Sequence, residues 1–170
     1  MRNLVFFSYS HKDQDWLEAF QTMLKPAVQA GQLSVWDDTK IAPGTQWKTQ
    51  IQTALDTAKV AVLLVSKDFL ASDFIQNNEL PVLLEAAQKN GATILWVYLG
   101  AALYQYTPIA DYQAAHNIAR PLSVLSPARR EIAVAEICEK IILAYKDASL
   151  GQPMFQASSA DAISPAFQMP

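Results

Sequence analysis

A chain of 170 residues with 51% hydrophobic residues is long enough to form one domain with a closed core. Its net charge of −3, without any run of lysine or arginine, argues against nucleic acid as a direct partner, and no apolar stretch has membrane-spanning length. The single cysteine, Cys138, excludes a disulfide framework, and its place in an apolar helical pattern predicts a buried structural thiol. Without a secretory segment at the N-terminus, we expect a cytoplasmic protein.

The beginning of the chain predicts a strand followed by a helix. Leu4–Phe7 is an apolar run typical of a strand, and the polar sequence from Ser8 to Asp13 predicts its exit loop. Apolar residues then recur at helical spacing from Trp16 to Leu24. We expect Pro26 to limit how far this helix continues, because proline in a helix interior removes a backbone hydrogen bond.

A second strand and helix follow. Leu33–Trp36 predicts a short strand, and the polar loop from Asp37 to Gly44 ends in a Pro-Gly turn signal. Thr45 is then expected to cap a helix whose apolar face runs from Trp47 to Ala58.

The central stretch begins with Val60–Val65, an unbroken apolar run that predicts a strand buried on both faces. The segment after it has a helical pattern interrupted by Pro81, which is best tolerated in a first helical turn. We therefore predict a short turn, a break near Asn77 or Asn78, and then a helix. Glu79 lies just before that helix, where a positive helix end favours an ionised carboxylate.

The second half of the chain predicts two more strands. The apolar run 92–99 is typical of a fourth strand, and 100–117 is expected to be a long loop. The run 119–122 predicts a short fifth strand, and its proline favours an edge position. Ser126 and Pro127 predict the start of a helix that ends near Lys146. We expect one domain over residues 1–147 and a linker-like tail over 148–170, leading to a further domain or partner.

Strands that alternate with helices predict an α/β fold, a flavodoxin-like five-stranded parallel sheet of order 2-1-3-4-5 with helices on both faces. Ligands of such sheets bind at the carboxyl ends of the strands where the order reverses, which here is between strands one and three. The two segments that meet there are Ser8–Asp13 and Ser66–Glu79. The fold prediction and the charge pattern therefore indicate the same region.

Several common occupants of this fold are excluded by motif. With glycines only at 31, 44, 91, 100 and 151, the chain has neither a Walker loop nor a dinucleotide fingerprint. The acidic positions of a phosphoacceptor domain are taken by Ser8 and Ser66. His11 and His116 are isolated from other ligand-type residues, so no metal site is predicted.

Four separated groups of residues resemble the Toll/interleukin-1 receptor (TIR) domain family in its bacterial branch, over roughly residues 1–146. They occur in the family's order along the chain: Val5-Phe6-Phe7-Ser8-Tyr9-Ser10; Trp36-Asp37-Asp38 with Pro43-Gly44 and Trp47; the strand Val60 to Ser66; and Ser72 with Glu79.

The resemblance implies one of two functions. Many TIR domains cleave the nicotinamide–ribose bond of NAD with a glutamate in the helix after strand three, a position that Glu79 matches, and they do so when several copies assemble. Others are adaptors that associate with further TIR domains through the loop after strand two, here Asp37–Gly44. We expect the first, an NAD+ hydrolase in a bacterial defence system that self-assembles under a sensor domain or partner protein. A binder of a nucleotide signal without turnover is a third possibility.

Glu79 suits the chemistry of that cleavage. Loss of nicotinamide leaves an oxocarbenium-like ribose that one fixed carboxylate can stabilise. The cationic nicotinamide is already a good leaving group, so neither a general acid nor a metal or cofactor is required, and NAD+ is only the substrate. The alternative interpretation of Glu79 is a solvated helix carboxylate, as at Glu85.

The other predicted substrate contacts surround Glu79. Ser8, Tyr9 and Ser10 are expected to line the exit of strand one, unless the serines only satisfy turn groups. Trp47 offers an aromatic face, although its place on the apolar side of a helix is equally typical of core. Asp38 and either Tyr104 or Tyr106 are expected to reach the nucleotide from loops. Ile75 departs from the family, whose enzymes often have tryptophan four residues before the glutamate. Whether the product is linear or cyclised ADP-ribose stays open.

Overall fold

The computed structural model describes residues 2–36 and 47–148, where four strands alternate with helices. The strands are β1 (Leu4–Ser8), β2 (Val35–Trp36), β3 (Ala58–Val65) and β4 (Thr93–Tyr98). The α-helices are α1 (Gln14–Gln29), α2 (Trp47–Thr57), α3 (Lys67–Ala71), α4 (Leu80–Lys89) and α5 (Pro127–Ala148). Within these two ranges, no helix is long and apolar enough to cross a membrane.

All the pairings in the sheet are parallel, and the strand order is β2-β1-β3-β4. This confirms the predicted α/β fold and its central order, in which β1 and β3 are neighbours. Their register places Ser8 opposite Leu63, so the last residues of the two strands lie at the same edge of the sheet. The reversal of strand order is therefore where the sequence predicted it.

Helices cover both faces of the sheet, as predicted. On one face, α1 and α5 pack with alternate residues of the strands, among them Val5 and Phe7. On the other face, α2 and α4 pack with Phe6 and Leu63. Cys138 lies in the first of these core layers, where burial raises the pKa of its thiol to about 12, so the thiol is structural, as expected.

The predicted fifth strand at Ala119–Leu122 is wrong, because the chain there has no ladder and leads into a 3₁₀ turn at Leu122–Val124. The place beside β4 is instead taken by a single parallel bridge between Trp96 and Ala114. The physical reason is that Pro121 has no N–H to donate to a ladder and caps the turn in an extended conformation.

Helix α1 also runs further than predicted. It passes through Pro26 and ends at Gln29, and the N–H of Ala30 still donates to the carbonyl oxygen of Pro26 at 3.0 Å. The proline is exposed, so its ring lies on the solvent side of the helix and displaces no core residue.

Candidate functional site

Two buried polar side chains meet at the carboxyl end of β1. The hydroxyl of Ser8 donates a hydrogen bond of 2.7 Å to Oε1 of Glu79, although 71 positions separate the two residues. Ser8 is 1% exposed and Glu79 is 7% exposed, which is rare for a carboxylate. A hydrogen bond to a carboxylate is stronger than one between neutral groups, and it fixes the orientation of Glu79 at the edge of the sheet. Glu79 is thus not the solvated helix carboxylate of the alternative interpretation.

Glu79 reaches Ser8 from a π-helical turn, Ile75–Glu79, which occupies the place of the break predicted near Asn77 and Asn78. The N–H of Leu80 donates to the carbonyl oxygen of Ile75, five residues earlier. Helix α4 follows at once, with Pro81 in its first turn as predicted.

The spacing of buried residues explains the wide turn. Ile75, Glu79 and Leu80 are all buried, at positions i, i+4 and i+5. In an α-helix at about 100° per residue, Leu80 would point about 140° away from Ile75. At about 80° per residue, which a turn closed by i→i+5 bonds gives, the same two side chains are only about 40° apart. The π turn therefore lets one face hold both the apolar side chains and the carboxylate.

A second serine–carboxylate pair lies at the carboxyl end of β3. The hydroxyl of Ser66 donates to Oδ2 of Asp13 at 2.5 Å and accepts from the N–H of Phe69 at 3.1 Å, which caps α3. Burial raises the pKa of Asp13, and the bond from Ser66 opposes that rise. Sequence reasoning missed this pair, although a serine between a strand and a helix is itself a capping signal.

The two pairs occupy different places at the same sheet edge. Ser8 is two residues after Phe6 within β1 and so shares the face covered by α2 and α4, whereas Ser66 follows the last residue of β3 and caps α3. Ser8 joins the end of β1 to the segment after β3, and Ser66 joins the end of β3 to the segment after β1. They hold the exits of β1 and β3 together, and only the pair on the α2 and α4 face contains Glu79.

Tyr9 and Ser10 do not lie beside Ser8 on the α2 and α4 face of the sheet. Tyr9 alternates to the other face, where it is buried in the core beside α1, with its ring 5.6 Å from that of His11. Ser10 caps the 3₁₀ turn His11–Asp13 and accepts a hydrogen bond from the N–H of Lys12 at 3.2 Å. The structure thus brings Ser8 to Glu79 and places Tyr9 on the opposite side of the sheet.

Tyr104 lies on the same side of the sheet as Glu79, in an aromatic cluster at the end of β4. Its ring is 4.7 Å from that of Trp96 and 5.1 Å edge-on from that of Tyr98. Burial raises the pKa of Tyr104, and the nearby Tyr98 adds to the rise. Tyr106 is 84% exposed, so Tyr104 is the loop tyrosine that packs against the sheet. The sequence pattern showed a fourth strand here without showing that its aromatic residues form a cluster.

Two predicted site residues cannot be placed. Asp38, with the loop Asp37–Gly44 and the predicted cap Thr45, lies outside the described residues. Trp47 begins α2, but its side chain is also outside the described part. In the described ranges, no group of three His, Cys, Asp or Glu residues is arranged to hold a metal ion.

Ile75, four residues before Glu79, is 3% exposed and packs in the core on the α2 and α4 face. We expect Ile75→Trp to lower the free energy of unfolding by about 1–3 kcal/mol, because an indole exceeds the space of an isoleucine in a packed core. Thermal melting measures this. Phe74→Trp is the control at a half-buried neighbour and should melt close to the wild type. An unchanged melting temperature for Ile75→Trp would show instead that the site has room for an indole.

Comparison with known proteins adds three findings. A model of the TIR domain family matches residues 5–121. The chain is similar to y4lF, an uncharacterized protein of Sinorhizobium fredii, with 28% identity over 119 residues, which is 70% of this chain but only 37% of that protein. It is also similar to the crystal structure of the TIR domain of the Toll-related receptor TRR-2 from Hydra magnipapillata. That match has 16% identity and a TM-score of 0.46, over 65% of this chain and 82% of the other.

Proposed function

Because this chain belongs to the TIR domain family, we propose that it is an NAD+ hydrolase whose catalytic carboxylate is Glu79. The observation that supports this most is the burial of Glu79 against Ser8 at the sheet edge where the strand order reverses. Open α/β sheets bind their ligands at that edge. Keeping a carboxylate at 7% exposure costs the fold desolvation energy, and groups of this kind are found preferentially at functional sites.

The reaction needs one negative charge at a fixed place. As the bond from nicotinamide to ribose breaks, the sugar becomes oxocarbenium-like, and the carboxylate of Glu79 stabilises the developing positive charge and orients the ribose hydroxyls. Nicotinamide leaves as a neutral ring with the electron pair of the broken bond, so no residue has to protonate it. Burial strengthens the interaction, because little water screens the charge. The ribose is then captured by water or by the adenine of the same molecule.

Further substrate contacts come from the elements around Glu79. Ser8 holds the carboxylate at the sheet edge through its hydrogen bond, while Tyr104 offers a half-buried ring on the same face of the sheet. In the sequence, Asp38 belongs to the loop after β2 and Trp47 follows it, and we propose that this loop, Asp37–Gly44, joins neighbouring copies. Assembly of several copies would cover the sheet edge and exclude water from it.

The wider setting that we propose is a cytoplasmic effector of bacterial defence, switched on by a sensor domain or partner protein. The chain spans 37% of the length of the curated relative y4lF. In y4lF the matching region is therefore part of a longer protein, an arrangement that suits an effector domain controlled by another domain of the same protein.

The first experiment is a concentration series. Purified protein is incubated with NAD+ at rising concentrations, with and without a crowding agent, and released nicotinamide is measured. We expect the specific activity to rise with protein concentration, because sites completed by neighbouring copies form only on assembly. A specific activity that is independent of concentration would contradict the assembly requirement. No release by concentrated, folded protein under any of these conditions would contradict the enzyme.

A non-catalytic TIR adaptor is the second candidate, and one observation favours it. Glu79 has a good hydrogen bond from Ser8 and little exposure, which is also how a purely structural buried carboxylate behaves. An adaptor would self-associate through Asp37–Gly44 without releasing nicotinamide. Self-association measured by light scattering alongside the assay separates the two candidates.

A further inference from the structure

The side-chain amide of Gln76 is a buried donor without a partner. Its Nε2 atom is inaccessible to water and has no hydrogen bond within the described part of the chain. The backbone of the same residue is satisfied, since its N–H donates to the carbonyl oxygen of Ser72 at 3.0 Å. An unmade hydrogen bond of this kind is costly and rare in native proteins, so it calls for an explanation.

Gln76 belongs to the π turn that carries Glu79. At about 80° per residue, the two side chains point about 120° apart around the turn, which is too far for a hydrogen bond. In an α-helix, three steps of about 100° bring them within about 60°, and residues three apart on an α-helix are neighbours. The residues Ile75–Glu79 thus hold the Gln76 amide away from the Glu79 carboxylate when they are wound as a π turn, and bring the two groups together when they are wound as an α-helix.

The carboxylate in this structure accepts a hydrogen bond from Ser8 and is largely shielded from solvent. At 7% exposure, with Oε1 accepting from the Ser8 hydroxyl, little of the carboxylate is open to a ribose that binds outside the sheet edge. Use of the carboxylate therefore requires a second orientation. A tighter turn rotates Glu79 by tens of degrees relative to Ile75, away from its present direction. It also moves the buried Leu80 off the face of Ile75, so this state is less stable than the π turn and is reached only with substrate bound.

We propose that Gln76 is the positioning residue of the reacting state, in which the turn Ile75–Glu79 tightens to α-helix and the Gln76 amide donates to the Glu79 carboxylate. This inference rests on the proposed function and adds a second conformation of the site, the one in which the reaction occurs. Ser8 holds Glu79 at rest, and Gln76 holds it toward the substrate. In that state the Gln76 amide, which has no acceptor in the present turn, takes the place of the Ser8 hydroxyl as a donor to Glu79.

The test is Gln76→Met, which keeps the length of the side chain and removes its donor. We expect kcat for nicotinamide release to fall about tenfold or more, with KM unchanged, because one hydrogen bond to a charged group is lost from the reacting state only. The melting temperature should stay or rise, because the unpaired donor is gone. The matched control is Asn77→Leu, an exposed neighbour on the same turn, which should keep both kcat and stability.

Several results would overturn the inference. Gln76→Met with wild-type kcat excludes the role, and so does a loss of activity that only follows a lower melting temperature. If the wild type releases no nicotinamide, the proposed function fails. The positioning role of Gln76 is then tested by the NMR signal of its side-chain amide, which is assigned by its absence from the spectrum of Gln76→Met. We expect concentrated protein with saturating NAD+ to shift this signal in the wild type but not in Glu79→Leu. An unmoved signal, or the same shift in both proteins, rejects the positioning role.

Discussion

Glu79→Gln is expected to lower the release of nicotinamide from NAD+ by about two to three orders of magnitude while the protein stays folded. The substitution removes the negative charge that stabilises the ribose cation. It keeps the size of the side chain, and the amide oxygen can still accept the hydrogen bond from Ser8. The measurement is kcat by nicotinamide release, with circular dichroism and thermal melting of the same samples.

Glu85→Gln is the matched control for this prediction. Glu85 lies on α4, shortly after the π turn, and its exposed side chain pairs with Lys89 at 3.7 Å. An exposed pair of this kind contributes at most about 0.5 kcal/mol, so neither activity nor stability should change measurably. Equal activities for wild type and Glu79→Gln would contradict the enzyme and favour the adaptor. Equal losses in Glu79→Gln and Glu85→Gln would point to a nonspecific effect of charge.

The sheet order and the place of Glu79 could be predicted from the sequence because both depend on local patterns. Apolar runs such as Val60–Val65 identify strands buried on both faces, and the topology of parallel sheets then fixes which edge binds ligands. The hydrogen bond between Ser8 and Glu79 could not be predicted in this way. It joins residues 71 positions apart, and its formation depends on how far the π turn carries the carboxylate over the sheet.

The π turn itself left a partial signal. Its buried residues Ile75 and Leu80 are five positions apart, a spacing that fits neither an α-helix nor a strand. Pro81 predicted a break before α4, because proline is favoured in the first turn of a helix. It could not show that the preceding turn is a π turn. The fifth strand failed for a related reason. The apolar pattern at Ala119–Leu122 was weak, and the edge of β4 is instead completed by single groups from the loop 113–116.

His116 is one of those groups, and it makes the fold sensitive to acid. Its Nε2 accepts a hydrogen bond of 2.9 Å from the N–H of Tyr98, in the place where a fifth strand would offer a carbonyl oxygen. Only the neutral ring can accept at this nitrogen. Burial lowers the pKa of His116 to about 4, the charge of Lys140 adds to the fall, and a hydrogen bond with the backbone of Asn117 opposes it.

We expect the free energy of unfolding to decrease by about 3 kcal/mol as the pH falls from about 6.5 to about 4, because of His116 alone. The sign follows from the lowered pKa. Between these pH values the unfolded chain binds a proton at His116 and the folded chain does not, so acid favours unfolding. Well above pH 6.5 His116 is neutral in both states and no longer lowers the free energy of unfolding. Asp13, with its raised pKa, acts in the opposite sense just above pH 3.8. Urea unfolding at a series of pH values measures the slope.

His116→Gln separates the histidine from the other titrating groups. The amide oxygen of glutamine can still accept from the N–H of Tyr98, but it does not titrate, so the variant should lose far less stability between pH 6.5 and 4 than the wild type. The same slope in both proteins would show that other groups cause the acid sensitivity. Because Tyr98 packs against Tyr104 at 5.1 Å, the protonated wild type should also loosen the aromatic cluster beside the proposed site. Nicotinamide release by the wild type should therefore fall over this range more steeply than release by His116→Gln.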